Sequence, residues 1–275
     1  MFSGLRQKIG NWANSVAFRL GRKPHIFAVR HTTYLEAGAT KDVSSLLREI
    51  KLKRVKDRLG MEFLPENIER SKIPPVQPGW KLGTARWNRS HKIAHAADRY
   101  AKAVYFSAKK RGISLVPLEN ANSKPYLLHH VLENWLTMHL RGTTPRMALD
   151  TMVRYGQMVG EKSAPNEGND LAMKLLERLT LAETNLSWQD IEDLRDAVSV
   201  CRSIGMYQKA RELKLRHVVL GGAHAEDAHL LFGAPLTPVN RETDLEQAKA
   251  RVQNHNRLKP RLHQLLELSE LGTAK

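Results

Sequence analysis

His91 and His95 stand four residues apart in "HKIAHAADRY". At that spacing two imidazoles share a helical face and can hold zinc, with a glutamate directly after the first as general base. Lys92 occupies that place. His224 and His229 are five apart, which on a helix turns them about 140° from each other. Neither pair has a carboxylate and a third histidine at a supporting spacing, so no metal is expected. His129, His130 and His139 fall on a helix whose other side is strongly apolar, and read as surface or RNA-contact residues. Cys201 is the only cysteine, with Arg202 its one adjacent charge. A catalytic thiol needs a base and an accessible position, so Cys201 is expected to be a packing residue.

Other catalytic signatures are missing. The chain has no GxxxxGK[ST] loop, no GxGxxG after a strand and no GxSxG elbow. "GG" at 221–222 leads into "AHAED", which reads as a turn or a helix start. The acid pairs Glu192/Asp193 and Glu226/Asp227 are expected on helix surfaces or helix starts. A non-catalytic protein follows, with no cofactor and no small-molecule substrate.

The cations carry more information. The net charge is +16, and residues 1–125 hold 25 Lys and Arg against 9 Asp and Glu, whereas residues 126–275 hold 19 of each. All the excess therefore lies in the first half, a pattern that points to nucleic acid or an anionic membrane. Six cations fall between Arg48 and Arg58, and eight between Arg86 and Arg111, interspersed with Trp80, Trp87, Tyr100, Tyr105 and Phe106. Lys and Arg neutralise phosphates, while aromatic rings stack on unpaired bases. The expected RNA-contacting residues are Lys51, Lys53, Arg54, Lys56, Arg58, Arg86, Arg89, Lys92, Arg99, Lys109, Lys110 and Arg111.

The elements that would carry these residues are helices. "RKPHIFAVRHTTYLEAG" has no clean period and reads as extended chain with room for one short strand. Residues 41–60 read as a helix, with Asp42 near its start and Gly60 just past its end. Four prolines between Pro65 and Pro78 break regular structure. Residues 91–112 return to helix, stopped by Gly112. From residue 126 onward the pattern is a series of amphipathic helices with punctuated ends: one up to Gly142, one opened by Thr144 and Pro145 and closed at Gly160, and one over 169–185. Another is opened by Ser187 and Asp190 in near capping-box spacing and closed at Gly205. "MYQKARELKLRHVVLGG" reads as the antiparallel partner of that last helix. Pro260 is expected to divide the final two.

The expected fold is accordingly all-α. An extended basic arm with isolated helices (1–125) precedes a neutral bundle or short stack of antiparallel α-hairpins (126–275). Residues 194–217 resemble a helical-hairpin repeat of the tetratricopeptide or pentatricopeptide type, although the spacing does not recur elsewhere in the chain.

The opening "MFSGLRQKIGNWANSVAFRLGRK" places Phe2, Leu5, Ile9, Trp12, Val16 and Leu20 on one helical stripe, with basic residues off it and no acid before Glu36. That is the build of a mitochondrial presequence. It is expected to remain uncleaved and to dock its stripe on a partner. A single cysteine suits a reducing compartment, here the matrix, and no run approaches eighteen apolar residues.

By layout and composition the chain resembles a mitochondrial ribosomal protein. The resemblance implies a structural subunit that grips ribosomal RNA through its basic half and neighbouring subunits through its helical half. Two other readings stand beside it: an accessory subunit of an inner-membrane complex, such as a respiratory complex or ATP synthase, and a helical-repeat RNA-processing factor.

Overall fold

The structure is a computed structural model that describes residues 23–29, 39–52, 55, 58–62, 101–119, 123–139, 143–160, 167–182, 186–239 and 242–267. The described residues form two units. One draws on the 23–119 and 203–249 stretches, the other on 123–202 and 250–267.

The first unit overturns the all-α expectation. Its centre is a parallel five-stranded sheet built from β1 (His25–Val29), β2 (Arg58–Met61), β3 (Ser114–Pro117), β4 (His217–Gly221) and β5 (Leu236–Pro238). The strand order is β3-β2-β4-β1-β5, and every described pairing is parallel. Helix α1 (Ala39–Leu52) follows β1, and helix α2 (101–109) precedes β3. Segments expected to be an extended arm with isolated helices are therefore layers of an α/β unit.

The hydrophobic pattern explains the difference. A parallel sheet is covered on both faces, so its strands read as short apolar runs rather than as alternation. "IFAV" and "VVL" are such runs. Phe27 and Val29 of β1, Leu59 and Met61 of β2 and Val219 of β4 pack with Leu46 and Ile50 of α1 and with Val104 and Ala108 of α2. Ile26, Ala28, Val218 and Leu220 point to the opposite layer. There they meet Met206, Tyr207 and Ala210 at the end of α6 (Trp188–Glu212), and Ala225 and Ala228 of α7 (Gly222–Phe232).

Gly60 does not close a helix; it is the third residue of β2. A Cβ there would lie 2.9 Å from Val218 Cγ1 and 3.0 Å from Leu215 Cδ1. Glycine is the residue that lets the two strands and the covering layer approach this closely. Gly112 behaves as read from the sequence: its φ of +70° ends α2, with its N–H donating to the Lys109 carbonyl.

The second unit is helical, with α3 (Lys124–Thr137), α4 (Pro145–Gly160), α5 (Glu167–Ala182), the first part of α6 and the later part of α8 (Leu245–Glu267). Leu128, Leu132, Trp135, Leu149, Leu175, Leu179, Ile191 and Leu194 form its core. Two expected helix starts appear as read. The Met147 N–H donates to Thr144 Oγ1, with Pro145 at the first helical position. Ser187 and Asp190 form a reciprocal box, in which the Ser187 N–H donates to Asp190 Oδ2 and the Asp190 N–H to Ser187 Oγ. The Ser187 hydroxyl, which also donates to Asp190 Oδ2, and the Ser187 N–H hold the Asp190 carboxyl below the ordinary carboxylate range.

Two expected breaks are absent. α6 runs through Gly205, so residues 194–212 are one helix, followed by β4, and not a hairpin. A helical glycine costs only about 1 kcal/mol relative to alanine, which the burial of Met206, Tyr207 and Ala210 just beyond it outweighs. α8 likewise runs through Pro260, with Leu258 before it and Leu262 and Leu265 after it packed on one core.

Candidate functional site

The order of the strands creates a point of divergence. The connection from β2 leads to β3, on one side, while that from its neighbour β4 leads to β5, on the other. In open α/β sheets, ligands bind outside the carboxyl ends of the strands at such a point. The strand ends here carry polar side chains. Glu62 directly follows β2, and its N–H continues the ladder by donating to the Val219 carbonyl. Gly221 ends β4, and α7 begins at the next residue.

Four side chains meet there. The Ser203 hydroxyl donates to Asp227 Oδ2 over 3.0 Å and lies 2.8 Å from His224 Nδ1. A hydroxyl has a single proton, so with Asp227 taking it, His224 Nδ1 must donate to Ser203 Oγ. The other ring nitrogen, Nε2, lies 3.6 Å from Glu62 Oε1. Glu62 Oε2 in turn accepts the Gly221 N–H, which sets its negative charge at the amino end of α7, where the helix dipole favours it.

This geometry limits the chemistry. Ser203 is fully buried, and its proton is committed to a carboxylate. It positions His224 and is not a nucleophile. His224 and Glu62 retain slight exposure, with 9% and 13% of their side-chain surface open. They form an acid–base pair whose imidazole is oriented from behind by Ser203 and Asp227. Glu226 beside them is buried as well, and its Oε1 accepts the Asp244 N–H at the start of α8.

Glu226 and Asp227 lie on a helix start, as expected from the sequence, but inside the protein and not on its surface. No sequence motif singles out Glu62, Ser203 or His224 for this role. The available signal was positional: Glu62 directly follows an apolar run, and His224 lies two residues past another that ends in Gly-Gly. His229 takes no part, its Nδ1 donating to the Ala234 carbonyl. Among the described residues no three His, Cys, Asp or Glu side chains form a metal-holding group.

Cys201 and His255 offer a second pair, in the helical unit. Sγ lies 3.6 Å from Nδ1, the distance of a thiol–imidazole dyad. That nitrogen also lies 3.2 Å from the Ala197 carbonyl, an acceptor only, so it carries a proton and cannot receive one from sulfur. Burial pushes the thiol up to about 11. Cys201 is a packing residue held in its neutral form.

Of the expected RNA-contacting residues, five are described. Lys51, Lys109, Lys110 and Arg111 are exposed. Arg111 Nη1 donates to the Leu47 carbonyl over 3.2 Å, joining the end of α2 to the last turns of α1, where Lys51 stands. Arg48 is exposed on the same helix. Arg58 is placed differently: it is the half-buried first residue of β2, and it donates to the Leu213 carbonyl. Lys53, Arg54, Lys56, Arg86, Arg89, Lys92 and Arg99 lie outside the described residues, as do Phe2, Leu5, Ile9, Trp12, Val16, Leu20 and the His91/His95 pair. No described helix is long and apolar enough to cross a membrane. Compared with protein-family models, with curated proteins and with solved structures, the chain shows no match.

Proposed function

We propose that this chain is a non-catalytic RNA-binding subunit of a large ribonucleoprotein, with the outer side of α1 and α2 as an RNA-contacting face. The mitochondrial ribosome is the assembly to which the presequence-like opening and the charge of +16 point. The observation that carries the reading is the bond from Arg111 to the Leu47 carbonyl. It holds the end of α2, with exposed Lys109, Lys110 and Arg111, against α1 one turn before exposed Lys51, which lies 58 to 60 residues away in the sequence. A rigid patch neutralises several phosphates without first having to be ordered.

Binding of the full chain to RNA, measured by fluorescence anisotropy across a salt series, tests this. The expected result is a linear fall of log affinity with log salt. Lys109→Gln and Lys110→Gln should each reduce that slope by about 1. Salt-independent binding, or an unchanged slope in both variants, would remove the reading. Co-sedimentation with ribosomal particles, lost on ribonuclease treatment, tests the assembly.

A second reading rests on His224 and Glu62 at the strand ends, an oriented acid–base pair of the kind that serves general acid–base catalysis. It predicts a hydrolytic or proton-transfer activity that Glu62→Gln abolishes while Lys109→Gln leaves the chemical step unchanged. A purified chain inactive on ester, peptide and phosphodiester substrates would count against it.

A further inference from the structure

We infer that the carboxyl-terminal end of α2 is a stacking site for unpaired nucleotides, with Phe106 as the platform. The inference rests on the RNA-binding reading above and names the kind of RNA.

Only Phe106 and Met147 are large exposed hydrophobics among the described residues, and Phe106 is 43% exposed. A single exposed ring is ordinary on a protein surface. What sets Phe106 apart is its surroundings. Lys102, Phe106, Lys109 and Lys110 stand at i, i+4, i+7 and i+8, the spacing of one helical stripe. The ring thus has cations one turn to either side of it. Tyr105 supports it edge-on, with centroids 5.5 Å apart and planes at 77°. The Lys109 ammonium lies 5.6 Å from the Tyr105 ring centre, so that charge is held beside the platform. Arg111 is fixed just beyond by its bond to Leu47.

A partner matching this stripe must be anionic along its length and must offer a flat apolar surface at intervals. Single-stranded RNA has that form, because phosphates alternate with bases whose faces are open. A duplex carries the same phosphates but hides the faces of its bases in the stack. An anionic membrane would match the cations, yet an interfacial helix buries a broad apolar face, and a single ring does not make one. Phe106 accordingly adds nothing to phosphate contacts and selects for unpaired segments such as loops and strand ends.

The test compares wild type and Phe106→Ala, as the full chain, on a single-stranded RNA and on a duplex of equal length. Phe106 is exposed, so the variant should fold as the parent does, which circular dichroism checks. The expected result is single-strand affinity weakened on the order of tenfold, with duplex affinity and the salt slope unchanged. Phe106→Trp should restore the single-strand binding. Equal effects on both RNAs, or none on either, would overturn the stacking site while leaving the RNA-binding face in place. A wild-type chain that binds neither RNA at low salt, or binds only anionic phospholipid vesicles, would remove the RNA-binding reading and this inference with it.

Discussion

His224 Nδ1 lies 2.8 Å from Ser203 Oγ, and the hydroxyl donates its own hydrogen bond to Asp227 Oδ2. The relay runs from α6 to α7 and holds the imidazole with Nε2 toward Glu62. Ser203→Ala removes an acceptor from His224 and a donor from Asp227 inside the protein. A loss of about 1–3 kcal/mol of stability is expected, read from urea unfolding. In a double-mutant cycle, Ser203→Ala and Asp227→Asn should be non-additive, since both act on one network. Additive losses would show that the relay does not work as a unit.

Gly60 is required by close approach rather than by its backbone angles. Gly60→Ala should cost about 1–3 kcal/mol, because the added methyl meets Val218 and Leu215 between packed layers. Shortening the neighbour should relieve it, so Gly60→Ala combined with Val218→Ala should be less destabilised than the sum of the two single changes. The same urea midpoints decide the matter.

Tyr207 stacks on Phe232 with centroids 4.4 Å apart, and its buried hydroxyl has no partner among the described residues. Tyr207→Phe keeps the stacking and removes an unpaired polar atom. Thermal unfolding should show the variant at least as stable as the parent, by up to about 1 kcal/mol. A clear loss of stability would mean that the hydroxyl has a partner after all.

The Cys201 thiol is raised to about 11, which sets a pH dependence of known sign. Between its ordinary value near 9.0 and about 11 the unfolded chain gives up the thiol proton and the folded chain keeps it. Its contribution to stability is thus fully present below about 9 and is lost as pH rises through about 11. Cys201→Ala should remove that part of the alkaline decline. At pH 8, iodoacetamide should label the folded protein far more slowly than the unfolded one. Rapid labelling without unfolding would contradict a neutral, buried thiol.

Much of the candidate RNA face was legible in the residues themselves. Lys51, Lys109, Lys110 and Arg111 were identifiable from charge density, and each of the four is exposed. The contact between Arg111 and α1 was not legible, because it depends on α1 and α2 packing on the same side of a sheet. The role of Glu62 was not legible for the same kind of reason. It accepts a bond from Gly221, 159 residues away, and nothing near it in the sequence indicates that neighbour.

The amino-acid sequence alone determined the local features. These are the Ser187–Asp190 box, Pro145 opening its helix, Gly112 closing another, and the concentration of charge in the first 125 residues. Each follows from interactions within one or two turns of helix, or from composition. Only the tertiary structure decided that "HIFAV", "RLGM", "SLVP" and "HVVLG" are parallel strands, that α6 passes through Gly205, and that Glu62, Ser203, His224 and Asp227 meet. A parallel strand has no hairpin partner beside it in the sequence, and its two buried faces erase the alternation that would mark it. Its hydrogen bonds are made with chain far away, so its identity is settled when the layers pack and not before.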